Sequence, residues 1–140
     1  MSSSSSVPPV SLSEYRALAR FRRALRAFLH FSEEAARGVG MTPAQHQLLL
    51  VIKGSESGQS PTIREIADSL KLRHHSAVEL VDRAVAAGLV ARAADPDDAR
   101  RRRLILTGVG EEKLAHLSTL HREELRRFPE EIFEHLASLG

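Results

Sequence analysis

At 140 residues the chain is long enough to bury one core without disulfides or metal, and 42% of its residues are apolar. It has no cysteine, which excludes disulfides, thiol sensing and every Cys-containing zinc motif. No apolar run approaches the roughly 18 residues needed to cross a bilayer, and Val7-Pro8-Pro9-Val10 is no signal-peptide core, so the expected location is the cytoplasm. The net charge is only +2, so the clustering of the basic residues matters more than their number. With 4% aromatics, no Trp and one Tyr, a stacking platform for single-stranded nucleic acid is not expected.

Residues 1–10 are Ser-rich and then Pro-rich, a disordered lead. From Leu12 to about Arg37, Leu12, Tyr15, Leu18, Ala19, Leu25, Phe28 and Leu29 recur at helical spacing, and Gly38 and Gly40 end the helix. Thr42-Pro43-Ala44-Gln45 starts the next helix with a cap, a Pro in the first turn and a Gln that can reach back. Its apolar run, Leu48-Leu49-Leu50-Val51-Ile52, implies a buried helix that ends at Gly54. After a polar loop from Ser55 to Pro61, Thr62-Ile63-Arg64-Glu65 repeats the capping signal. Ile63, Ile66, Ala67 and Leu70 mark the core face of this short helix. Another helix, His74 to Ala87, turns Ala77, Leu80, Val81 and Ala84 inward and stops at Gly88.

Leu89 to Ala93 reads as a strand, Asp95-Pro96-Asp97-Asp98 as a turn, and Arg101 to Thr107 as the returning strand. A last helical stretch from about Thr107 places Leu114, Leu117 and Leu120 on one side. Pro129 interrupts it, and Ile132, Phe133, Leu136 and Leu139 mark one more short helix. The fold class is therefore mostly α with a small β-hairpin, a single domain over 11–140 with no internal repeat. A winged helix-turn-helix covers about 42–107, between helices at about 11–38 and 108–140. Those end helices carry apolar stripes that one small lobe cannot cover, which points to dimerisation.

Two short helices joined by Lys71-Leu72-Arg73 and followed by a hairpin suit the major groove of duplex DNA. The first helix braces the second, which presents a polar face. With Ala77 inward, His75, Glu79, Asp82 and Ala86 lie roughly opposite, and Ser76 and Arg83 lie to one side. Arg73, His74, His75, Ser76, Glu79 and Arg83 are the DNA-binding candidates here, because such side chains donate to or accept from base edges and phosphates. In the hairpin the run Arg100-Arg101-Arg102-Arg103 alternates faces, and Arg100, Arg101 and Arg102 are the candidates for phosphate or minor-groove contact.

From Met41 to Leu114 the chain resembles the MarR (multiple-antibiotic-resistance regulator) family of bacterial transcription factors. The resemblance is carried by Thr42-Pro43-Ala44-Gln45, Ile66-Ala67-Asp68-Ser69-Leu70, Val81-Asp82-Arg83, Ala87-Gly88-Leu89-Val90 and Arg92. Asp95-Pro96-Asp97-Asp98-Ala99-Arg100 and Leu106-Thr107 complete it. It implies a triangular homodimer whose first and last helices interlock, with a recognition helix at His74 to Ala87 and a wing at Arg92 to Arg103. It also implies that Asp98 orients Arg100 rather than touching DNA. The implied function is regulation of transcription, as a repressor released when a small molecule, often aromatic, binds between stem and lobe. This chain departs from the family pattern at Glu79, where Arg is common, at Ala99, and at Gly108, where Pro is common.

His30 and His46 are the candidate effector-binding positions; the competing role for His46 is a hydrogen-bonded packing residue. A metal-responsive regulator using these histidines with carboxylates is the alternative function, and a winged-helix protein-interaction module is a further one. No cofactor or metal is assigned. There is no P-loop, Gly-rich dinucleotide turn, Cys nucleophile or HExxH, so the chain is read as a non-enzyme.

Overall fold

A computed structural model describes residues 7–128 and 137. The elements run α1 (Leu12–Gly38), α2 (Pro43–Lys53), α3 (Ile63–Leu70), α4 (His74–Ala86), β1 (Val90–Ala94), β2 (Arg102–Leu106) and α5 (Gly108–Arg126). This is the expected order, with boundaries moved by a residue or so. Residues 1–6 of the lead, Pro129 and the short helix read at Ile132, Phe133, Leu136 and Leu139 lie outside the described residues. Among the described residues no helix is long and apolar enough to cross a membrane.

The chain divides into two compact units, one of residues 32–121 and one of residues up to 31 together with those from 122 onward. In the first, hereafter the lobe, local chemistry sets the helix ends. The Thr42 hydroxyl accepts from the Gln45 N–H at 3.1 Å while the Gln45 side chain accepts from the Thr42 N–H at 3.0 Å. Thr62 and Glu65 make the same reciprocal pair, at 3.3 and 3.0 Å. Each cap satisfies donors that a helix start leaves open, a contribution of about 1 kcal/mol. At the other end of α4, Gly88 takes φ +76°, and the Leu89 N–H reaches back to the Ala84 carbonyl at 3.0 Å. That left-handed step turns the chain directly into β1. Between α3 and α4 the left-handed residue is Lys71, at φ 57°, and the Leu72 N–H bonds the Ala67 carbonyl at 2.9 Å.

The two strands pair antiparallel, from Val90 opposite Leu106 to Ala94 opposite Arg102. The segment before α3 adds a short rung: Thr62 bridges Arg103, and the Leu104 N–H donates to the Pro61 carbonyl at 2.8 Å. The hairpin is thereby joined to the start of α3 by backbone as well as by side chains. Leu48, Leu49, Ile66, Val81, Leu104 and Leu117 are fully buried at the centre of the lobe. The apolar run of α2 is not buried throughout, as Leu50 is 51% exposed, because a helix turns 100° per residue and five successive side chains cannot share one face.

α5 begins with Thr107 as its cap. Its hydroxyl accepts from the Gly110 N–H at 3.0 Å and donates to the Gly88 carbonyl at 2.6 Å. Gly110 lies so close to the Leu89 carbonyl that a Cβ would sit 2.2 Å from its oxygen.

In the other unit, α1 opens with a third capping box that the sequence reading did not pick out. The Ser11 hydroxyl accepts from the Glu14 N–H at 3.1 Å, and Glu14 accepts from the Ser11 N–H at 3.3 Å. Ala17 is buried, but Leu12, Tyr15 and Leu29 are 62%, 59% and 51% exposed. Phe28 meets Phe128 edge-on, with ring centroids 6.4 Å apart.

Candidate nucleic-acid interface

α4 buries Ala77, Val81 and Ala84 and leaves its opposite face to solvent, as the spacing predicts. Arg73 takes the extended N-cap conformation without a side-chain cap. His74, His75 and Glu79 are exposed and Ser76 is half-buried, so these candidates share the accessible start and outer side of the helix. Glu79 is not a lone carboxylate: Arg83 Nη2 donates to its Oε1 at 2.8 Å, one helical turn on. The acid and the base on this face therefore largely cancel each other. Asp82, which the helical wheel also places outward, is paired with Arg92 of β1, so it braces the hairpin against α4.

The hairpin tip is built on aspartates. Asp98 Oδ1 accepts from the Arg100 N–H at 3.0 Å and lies 3.6 Å from the Arg100 guanidinium. Arg100 itself projects into solvent, with its side chain 94% exposed. Arg102 Nη1 donates to the Ala99 carbonyl at 3.2 Å. Asp95 accepts from the Asp97 N–H at 2.9 Å, a bond that holds its carboxyl below the usual range, helped by the Arg103 and Arg101 charges.

Arg103, the last of the run, turns inward, its side chain only 13% exposed. Its Nε donates to Asp95 Oδ2 at 3.1 Å and its Nη1 to the Ser60 carbonyl at 2.6 Å, with Glu65 3.7 Å away. Sequence reasoning missed this pin. An Asp eight positions before an Arg across a turn was the available signal. The Thr62 N–H bond holds Glu65 below its usual pKa, again with Arg103 and Arg101 assisting. Between the start of α3 and the wing lies a cleft of about 650 Å³, lined by Thr62, Ile63, Arg64, Glu65 and the arginines 100–103.

The two candidate effector residues fall in different units: His30 is exposed on α1, and His46 is buried on α2. The His46 ring packs 4.9 Å from that of His121. His121 Nδ1 lies 2.6 Å from the Leu117 carbonyl, which can only accept, so that nitrogen carries hydrogen. Nε2, 2.7 Å from the Ser32 hydroxyl, then accepts from it in the neutral ring. Burial, and next the His121 charge, push the His46 pKa down. Among the described residues no group of three or more His, Asp or Glu side chains is placed to hold a metal ion.

Residues 39–101 match the family model described as MarR family. By structure the chain is similar to AbsC, a MarR family transcriptional regulator from Streptomyces coelicolor, at TM-score 0.70 and 21% identity over 96% of this chain and 94% of that one. It is similar to apo MarR from E. coli at TM-score 0.66 and 20% identity, over 94% of this chain and 96% of that one. The S. aureus MepR–DNA complex matches at TM-score 0.66 and 18% identity, over 93% of each chain. Compared with curated protein sequences, the chain has no match.

Proposed function

Residues 39–101 form a MarR family segment within a winged helix fold, and from that premise we propose that this chain is a duplex-DNA-binding transcriptional regulator. The observation that carries the reading is the polar, solvent-facing side of α4, braced by α3 and flanked by a wing whose Arg100 and Arg101 are exposed. In this reading α4 enters the major groove, and His75, Ser76 and Glu79 meet base edges. Arg73, His74 and Arg83, with Arg100, Arg101 and Arg102 of the wing, supply backbone or minor-groove contacts, which add affinity but little sequence information. That MepR has been solved bound to DNA supports the assignment by likeness of fold.

The regulator acts as a homodimer. The exposed Leu12, Tyr15, Leu18 and Leu29 of α1 support this, since an apolar helix face is stable in water only when something covers it. Two-fold symmetry then calls for a near-palindromic operator with half-sites about one helical turn apart. Repression with release by a small aromatic carboxylate is the mode that the family resemblance favours. The effector would bind one conformation better than the other and lower operator affinity by that ratio.

The test is fluorescence anisotropy with mixed-sequence and selected duplexes over a salt series. Each phosphate neutralised contributes about −0.9 to the slope of log K against log salt, so affinity should fall at least roughly tenfold from 50 to 200 mM salt. A salt-independent affinity overturns the DNA reading. A panel of aromatic acids that shifts neither thermal stability nor operator binding overturns the effector.

A further inference from the structure

The arginines around the wing do different jobs. Arg103 is held by Asp95 and the Ser60 carbonyl, and Arg102 gives one bond to the Ala99 carbonyl while staying exposed. Arg100 stands out from the tip beside Asp98. Arg101 remains. It is exposed, it lines the cleft against α3, and its charge is felt both by Glu65 on the α3 side and by Asp95 on the wing side. Across the cleft, in the first turn of α3, Arg64 is exposed, and among the described residues no carboxylate pairs with it.

The one carboxylate lining the cleft is already committed. Glu65 Oε1 accepts from the Thr62 N–H at 3.0 Å and from the Thr62 hydroxyl at 3.1 Å, and faces Arg103 at 3.7 Å. Arg64 and Arg101, neither in a direct ion pair among the described residues, thus line one open cavity of about 650 Å³, roomy enough for a phosphate with its sugars. The walls are held in register by the Arg103 pin, by the Thr62–Arg103 bridge and by the Leu104–Pro61 hydrogen bond. Guanidinium groups suit this ligand, because their planar donor fork matches phosphate oxygens and keeps its charge at every physiological pH.

We propose that the cleft is a phosphodiester site, in which one backbone phosphate of duplex DNA is held between Arg64 of α3 and Arg101 of the wing, with Arg103 as the residue that sets the spacing. The proposal rests on the DNA-binding reading above and adds to it a residue, Arg64, that the sequence pattern does not single out. It also separates Arg101 from Arg100: the first closes on the same phosphate as α3, the second reaches a different part of the duplex.

A double-mutant cycle tests it, on the full chain with a mixed-sequence duplex and a salt series. Arg64→Gln and Arg101→Gln should each weaken binding several-fold for all sequences alike. Because they share a phosphate, the double variant should lose less than the product of the two, and its salt slope should flatten by about one rather than two. Arg103→Lys keeps the charge but cannot reach Asp95 and Ser60 together, so in that background Arg101→Gln should cost less than in the parent. Independent, multiplying effects of the Arg64 and Arg101 variants, or no effect of Arg64→Gln beside a clear effect of Arg101→Gln, overturn the shared site and leave the wing reading intact. If Arg64→Gln, Arg101→Gln and Arg100→Gln all leave binding unchanged, the DNA-binding reading itself falls.

Discussion

The lobe and α1 are built from similar apolar residues at similar helical spacing, and they meet different fates. In the lobe Leu48, Leu49 and Leu117 are fully buried, whereas in α1 Leu12, Leu18 and Leu29 are 62%, 42% and 51% exposed. A period of 3.6 residues states that a helix has an apolar face; it does not state what covers it. The lobe brings its own cover, four helices and a hairpin closing on one core. The face of α1 is the part for which we propose a second copy.

The sharpest way to break that comparison is to cut into each region. Leu48→Ala or Leu117→Ala should destabilise the lobe by about 2–5 kcal/mol, the range for truncating a buried leucine. Urea melts should show the same loss at every protein concentration. Leu18→Ala should act through assembly instead, its effect on the midpoint shrinking as protein concentration rises. If the Leu18 variant loses stability independently of concentration, α1 is covered from within its own chain.

A smaller loss is expected at Gly110. Its substitution by Ala forces a Cβ against the Leu89 carbonyl, and overpacking of this kind costs about 1–3 kcal/mol. Gly108→Ala, where a Cβ meets nothing within 4 Å, is the control and should leave the thermal midpoint nearly unchanged.

Acid should loosen the lobe through His46. Burial lowers its folded pKa below 6.5, so the unfolded chain takes up the proton first. The contribution to stability is complete above pH 6.5 and fades as pH falls through the folded value. His46→Gln should flatten the stability profile below pH 6.5, and a profile as steep as that of the parent would remove His46 as its source. Asp95 and Glu65 act lower on the scale, losing their contribution only as pH falls below the ordinary carboxylate range.

The smallest stability effect belongs to the surface of α4. Breaking the exposed Glu79–Arg83 pair with Glu79→Gln should change stability by no more than about 0.5 kcal/mol. Its effect on DNA is more telling, since it frees Arg83. A uniform gain for all duplexes means the carboxylate only opposed phosphates; relaxed selectivity at a cytosine means it reads a base.

What was legible in the sequence is what short-range chemistry decides. Thr42 with Gln45 and Thr62 with Glu65 announce their helices because cap and partner are three residues apart. Ser11 with Glu14 carries the same signature and was open to the same argument. The order of elements and the inward faces of α3 and α4 follow from periodicity. The role of Arg103 does not, because the Ser60 carbonyl it meets is 43 positions away and only the folded hairpin brings them together. Asp82 and Glu79 look alike on a helical wheel, yet one braces a strand through Arg92 and the other pairs within its own helix. Periodicity assigns a direction to a side chain, while its partner is a tertiary fact.

The Thr107 hydroxyl has a kinematic consequence. It bonds the Gly88 carbonyl just past α4 and the Gly110 N–H in the first turn of α5, while the Thr107 N–H donates to the Leu89 carbonyl at 3.1 Å. With Gly110 pressed against the same Leu89 carbonyl, the end of one helix and the beginning of the other have no slack between them. The turn after α4 and the first turn of α5 are thus joined at a single threonine. The link between the end of α4 and the start of α5 therefore runs through backbone and one side chain without passing through the hairpin. Thr107→Val, which keeps the shape of the side chain and removes the hydroxyl, would loosen that joint while leaving every proposed DNA contact in place.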